Sequence, residues 1–263
     1  MKPEQAERFF IEELFGQSRE KGRASLAPLD LVDKLTGDAS TRRYYRLFTA
    51  DASYVVCLDN PQQDTTQPHP FVSKQEFLSR LGVRVPAVYD AQLAKGYILE
   101  EDLGDETFLA HLATVRDAAQ ERELYTRVVD QLLVLHRLAR EEVQKSGLFD
   151  LKFDLEKLMQ EMDFTFKFFF THFLKFTDEQ KVARLRAEIE VLCRRLASQP
   201  MVLTHRDFHS RNIMVKNGEL IFIDFQDARL GIPQYDLVSL LEDCYYEITP
   251  ENRDFLKRRY FEK

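Results

Sequence analysis

The chain has 263 residues, 44% of them hydrophobic and 31% charged, with a formal net charge of −7. This is the balance of an ordinary globular protein, long enough for one large domain or two lobes, and its acidity argues against nucleic acid as the main partner. No apolar run approaches a membrane span and the first residues lack a signal-peptide apolar core, so the expected location is the cytoplasm, with no membrane partner.

The cysteines agree with that expectation. Cys57, Cys193 and Cys244 are odd in number, widely spaced and set in apolar neighbourhoods, which predicts reduced core thiols rather than disulfide or metal partners. Residues 4–21 place apolar side chains at Ala6, Phe9, Phe10, Leu14 and Phe15 and stop near Gly22, the pattern of an amphipathic helix. From 29 to 102 the pattern turns strand-like, at 29–35, 43–49, 53–58, 87–91 and 96–100. One helix interrupts it, beginning with Pro70 in its first turn and running to Leu81, where Gly82 stops it.

Between the first two strands lies Thr36-Gly37-Asp38-Ala39-Ser40-Thr41. Small residues there let main-chain N–H groups and two hydroxyls approach phosphates, although the same composition also makes ordinary hairpin turns. No G-x-x-x-x-G-K-[ST] occurs, which excludes a P-loop nucleotidase. A tight turn at Ala50-Asp51 would set Arg43 opposite Leu58. After Gly104 helices dominate, at 119–140, 154–175 and 178–197, the last with Thr177 and Gln180 as a capping box. The Phe-rich stretch 163–176 is expected to pack in the core, with stacking on a bound sugar as the alternative. The order predicts an α+β chain: residues 1–102 forming a sheet with a helix, and 103–263 a mainly helical unit.

The chemistry concentrates after residue 200. Met201 to Thr204 is a short apolar run, followed by His205-Arg206-Asp207-Phe208-His209-Ser210-Arg211-Asn212. Two apolar runs, 213–216 and 219–223, then flank Asn217-Gly218, the strongest short-range hairpin signal because a type I′ turn needs positive φ at both central residues. A two-residue turn pairs Lys216 with Glu219, and counting back brings Asn212 and Asp224 to the open end of the hairpin, beside the loop carrying Asp207. Two oxygen ligands for a hard cation would then adjoin a base. The rival metallohydrolase reading uses His205, Asp207, His209 and Asp224 as Zn²⁺ or Fe ligands, but leaves Asn212 without a role.

H-R-D-x-x-x-x-N with a second acid twelve residues after the Asn resembles the catalytic and metal loops of protein-kinase-like phosphotransferases. More widely, GDASTRRYYRL (37–47), LEEDLGD (99–105), THRDFHSRNIMV (204–215) and IDFQDARLGIPQYDLVSLLEDCY (223–245) resemble the aminoglycoside phosphotransferase and choline kinase superfamily. Within it the chain is most similar to bacterial anomeric sugar kinases acting on N-acetylmuramate and N-acetylglucosamine. The resemblance implies a bilobal protein-kinase-like fold using ATP and Mg²⁺, with a small antiparallel-sheet lobe and a larger helical lobe. Asp207 would be the base, Asn212 and Asp224 the metal ligands. The Gly37, Asp38, Ala39, Ser40 and Thr41 loop would meet phosphates, and main-chain atoms near Glu100 and Asp102 would hold adenine.

Two departures from that pattern stand out. The third strand, 53–59, lacks the usual Lys. Arg42 or Arg43 could supply the missing cation, against the alternative that Arg42, Arg43 and Arg46 line a solvated strand face. The chain also stops at Lys263 with residues 253–261 resembling an unfinished amphipathic helix, as in a shortened member or a fragment. His209, Arg211, Gln226 and Asp227 flank the base and are candidates to bind the acceptor. Asp236 is expected to cap a helix over 236–247 and brace the catalytic loop. The leading expectation is a kinase making a sugar 1-phosphate for cell-wall precursor salvage. The alternatives are an aminoglycoside or choline kinase of the same superfamily, or a non-catalytic nucleotide-binding regulator.

Overall fold

A computed structural model describes residues 5–35, 42–64 and 66–263. Contacts divide the chain into two compact units, one of residues 1–111 with 213–226, the other of 112–212 with 227–263.

In the first unit, helix α1 (Gln5–Glu20) precedes strands β1 (Leu29–Lys34), β2 (Arg43–Thr49) and β3 (Ser53–Leu58). Helix α2 (Pro70–Arg80) follows, then β4 (Val88–Gln92) and β5 (Tyr97–Glu101). The described residues form a five-stranded antiparallel sheet in the order β1-β2-β3-β5-β4. Alternation along its strands sends Val32, Tyr45, Leu47, Tyr54, Val56, Leu58, Tyr97 and Leu99 to one face, where they meet Ile11, Leu14 and Phe15 of α1. Helix α2 starts as its sequence predicts: Pro70 is its first residue, His69 caps it, and the chain leaves through Gly82 at φ +83°. A hairpin of β7 (Ile213–Lys216) and β8 (Glu219–Phe222) completes this unit.

Helix α3 (Phe108–Leu112) falls almost wholly in the first unit. The second unit holds α4 (Ala118–His136), α5 (Arg140–Ser146), α6 (Leu155–Thr165), α7 (Glu179–Ala197), α8 (Gln234–Leu241) and α9 (Pro250–Glu262). Strands β6 (Val202–Thr204) and β9 (Arg229–Gly231) pair within it. The expected 119–140 helix is broken after His136 and resumes at Arg140. The 154–175 helix widens into a π-helix over Phe166–Phe173. The cap of α7 is Asp178, whose side chain accepts from Lys181 N, and not the Thr177 and Gln180 pair. Asp236 is not a cap either: α8 begins at Gln234 and places Asp236 inside its first turn.

Burial corrects two further expectations. Phe166 is buried, but Phe164, Phe168, Phe169 and Phe173 are exposed and stack largely on one another. Cys57 and Cys193 are buried free thiols, whereas Cys244 is exposed. Among the described residues no helix is long and apolar enough to cross a membrane.

Candidate active site

The Asp207 loop is built on β6, whose Thr204 pairs with Arg229 of β9 and donates its hydroxyl to the Arg229 carbonyl at 2.8 Å. The chain then turns through Arg206 at φ +85°, a conformation costly for a side-chain-bearing residue. The fully buried Asp236 carboxylate holds this turn, accepting from the main-chain N–H groups of His205 at 2.7 Å and Arg206 at 3.0 Å. His136 Nε2 lies 3.0 Å from the same carboxylate and its Nδ1 is 2.6 Å from the Tyr260 hydroxyl. Facing a carboxylate, which only accepts, Nε2 is the donor of that bond.

Phe208 anchors the loop from below, fully buried and edge-on to His205. Asp207, one residue earlier, keeps its side chain 42% exposed. The Arg206 guanidinium lies 3.0 Å from Asp227 and 3.7 Å from Asp207. A short 3₁₀ turn, Ser210–Asn212, follows, its first N–H donated to Asp243 at 2.8 Å. Asn212 Nδ2 donates to the Asp207 carbonyl at 2.9 Å, which turns the amide oxygen into the group left to bind a cation. His209 meets the Tyr245 ring edge-on, and the Arg211 guanidinium lies over that ring at 5.0 Å. His209 Nδ1 is buried without a hydrogen-bond partner among the described residues. Tyr245 is thus a member of this group that spacing alone did not single out.

Asp224 belongs to the other unit. The hairpin has the predicted register, Ile213 with Phe222 and Lys216 with Glu219, and Asn217 and Gly218 take φ +52° and +78°. Leu103, Met214 and Ile221 form its core. Lys216 Nζ bonds Glu101 at 3.0 Å and the Asp102 carbonyl at 2.8 Å. Asp224 itself sits at φ +64° and is exposed. Phe225 behind it is buried and stacks on Phe71 of α2, with ring centroids 5.1 Å apart. The Gln226 side-chain amide donates to the Asp224 carboxylate, and the Gln226 carbonyl accepts from Lys74 Nζ at 2.6 Å. One amide oxygen and one carboxylate, at Asn212 and Asp224, are hard donors of the kind Mg²⁺ prefers. Among the described residues there is no cluster of three or more His, Cys, Asp and Glu side chains able to hold a metal ion.

The sheet separates the arginines. Arg43 pairs with Leu58 as its register predicts, but it lies on the α1 face with Tyr45 and Leu47 and is bound to Glu7 at 3.0 Å. Arg42 shares the opposite face with Tyr44, Cys57 and Glu100, and is bound to Asp59 at 2.7 Å. Arg46 lies 3.1 Å from Asp102 and 2.8 Å from Asp105. Burial pushes the Glu100 carboxyl up to about 8, with Arg42 pulling the other way. For Glu101 burial acts upward too, but bonds from Arg84, Lys216 and the Ala87 N–H outweigh it and hold the group at about 2. Gln226 bonds Asp224 and Asp227 bonds Arg206, while His209 and Arg211 group around the Tyr245 ring. The loop of Gly37, Asp38, Ala39, Ser40 and Thr41 lies outside the described residues.

Known proteins share this architecture. The gentamicin complex of APH(2'')-IIa superposes with a TM-score of 0.68 at 19% identity, covering 100% of this chain and 83% of that one. Choline kinase LicA from Streptococcus pneumoniae gives 0.62 at 17% identity, covering 98% and 80%. The fold is therefore that of the protein-kinase-like phosphotransferases. In sequence, an N-acetylmuramate/N-acetylglucosamine kinase of Neisseria meningitidis serogroup B is 33% identical over 227 residues, 86% of this chain and 65% of that protein. A protein of the same description from Pseudomonas putida is 30% identical over 220 residues, 83% and 61%. The chain spans slightly less than two thirds of the length of these curated relatives. The profile of the Phosphotransferase enzyme family (APH) matches residues 32–262, and the chain belongs to that family.

Proposed function

We propose that this protein is a cytoplasmic, ATP- and Mg²⁺-dependent kinase that phosphorylates the anomeric hydroxyl of an N-acetyl amino sugar, N-acetylmuramate or N-acetylglucosamine, in salvage of cell-wall precursors. The observation that carries the reading is the Asp207 carboxylate, partly exposed on a strained loop that a buried carboxylate holds in place. The sequence relatives at 33% and 30% identity point to the acceptor.

In this reading Asp207 orients the sugar 1-hydroxyl and takes its proton as the new oxygen–phosphorus bond forms. The bond from the γ-phosphorus to the bridging oxygen breaks and ADP leaves with that electron pair. Asn212 and Asp224 would each offer an oxygen to Mg²⁺, which would supply charge neutralisation on the phosphates. The first unit, with Glu100, Asp102 and the 37–41 loop, serves the nucleotide. His209 and Arg211 serve the acceptor: a guanidinium stacked on Tyr245 is pre-oriented for a planar carboxylate, which N-acetylmuramate has and N-acetylglucosamine lacks.

The test is ADP release with Mg²⁺ and ATP against both amino sugars, an aminoglycoside panel and choline. Turnover on the N-acetyl sugars, giving an acid-labile phosphate, is expected. Arg211→Ala should raise KM for N-acetylmuramate more than for N-acetylglucosamine. Turnover confined to aminoglycosides or choline would reassign the acceptor, and ATP binding without turnover on any of them would make the protein a regulator.

A further inference from the structure

Resting on the kinase reading, the structure raises the question of which cation meets the nucleotide phosphates. A phosphoryl-transfer site needs a fixed positive charge there. The third strand offers none: between Tyr44 and Ile98 of its neighbours it presents Cys57. Burial above all pushes that thiol up to about 12, so it stays protonated and neutral. The arginines in and just before the second strand are bonded to carboxylates, Arg43 to Glu7 on the α1 face, Arg42 to Asp59, and Arg46 to Asp102 and Asp105.

Helix α2 offers a different candidate. Phe71 and Lys74 are three residues apart and so share a helix face. Both meet the same short stretch, Phe71 stacking on Phe225 and Lys74 Nζ donating to the Gln226 carbonyl at 2.6 Å. That carbonyl is two residues past Asp224, and the side chain of the same Gln226 returns to the Asp224 carboxylate. Lys74 is 7% exposed, so its ammonium is fixed in place rather than sweeping through solvent. Its bond to the main chain orients the ammonium beside the acid proposed to hold the metal.

We propose that Lys74 is the cation this chain uses on the nucleotide phosphates, relocated from the third strand to helix α2 and tethered to the metal loop through the Gln226 carbonyl. The tether couples the charge on the phosphates to the position of Asp224.

The experiment is calorimetric binding of Mg·ATP and of AMP to the full chain and to K74M, K74Q and R42Q. Lys74→Met removes charge and tether at similar volume, while Lys74→Gln keeps a donor for the Gln226 carbonyl and removes only the charge. Both should weaken Mg·ATP by about tenfold or more, the worth of a charge-assisted hydrogen bond, and leave AMP within about twofold. Arg42→Gln should bind Mg·ATP within about threefold of the parent. Parental Mg·ATP affinity in K74Q or K74M would overturn the assignment, as would equal loss of AMP, the mark of a merely structural lysine. A parent chain that binds no ATP would overturn the kinase reading and this assignment with it.

Discussion

The two loops that carry the signature acids are built alike and braced by opposite charges. In each, an Asp-Phe pair sets a buried ring behind an acid with solvent access, Phe208 behind Asp207 and Phe225 behind Asp224. Each loop also contains a non-glycine residue at positive φ, Arg206 and Asp224. The Asp207 loop is held by an anion, Asp236 of α8, which collects main-chain N–H groups. The Asp224 loop is held by a cation, Lys74 of α2, which donates to a main-chain carbonyl. The lesson is that left-handed turns leave main-chain dipoles unspent inside the protein, and a buried side chain of matching charge is what keeps them from relaxing.

Removing the rings tests the shared part of the design and should have the largest effect on stability. Phe208→Ala and Phe225→Ala should each cost about 3–5 kcal/mol in denaturant unfolding, the range for a fully buried aromatic. If either cost less than about 1 kcal/mol, that ring would not be an anchor. The anionic brace comes next. Asp236→Asn keeps the shape but turns an NH₂ group toward donors, so it should cost about 1–3 kcal/mol and lower kcat more than it changes ATP affinity. A variant with parental kcat would show that Arg206 holds its turn without help.

The smallest effect should distinguish the loops by pH. The far end of the Asp224 hairpin is pinned by Lys216 on Glu101, whose carboxyl is held at about 2 against an ordinary 4.5. A depressed acid stabilises fully above its unfolded value and loses that contribution as pH falls toward its folded value. Melting temperature should therefore drop between about pH 4.5 and 2, and Glu101→Gln should flatten that drop. Parallel acid profiles for the two proteins would remove Glu101 from the account.

What was legible in the sequence was local. Asn217-Gly218 fixed the hairpin register to the residue, and the tight turn at Ala50-Asp51 set Arg43 opposite Leu58. Face assignment was harder: that pairing was right, yet alternation turned Arg43 toward Glu7 and away from the Glu100 face. The break after His136 has no Gly or Pro to announce it, and Asp178 outcompeted Thr177 as a cap one residue away. Contacts between distant residues were out of reach, since Lys74 and Gln226 are 152 positions apart and His136 and Asp236 are 100. No periodicity encodes a bond of that kind; it exists only once the core has placed both ends.

Under the proposed function Asp207 acts on the acceptor hydroxyl during phosphoryl transfer. Its most direct test is steady-state turnover of Asp207→Asn with N-acetylmuramate, Mg²⁺ and ATP, alongside ATP affinity. The account predicts a fall in kcat of about 10²–10⁴-fold with ATP affinity nearly unchanged, because the carboxylate acts in the transition state alone. Turnover at a tenth or more of the parental rate would contradict it.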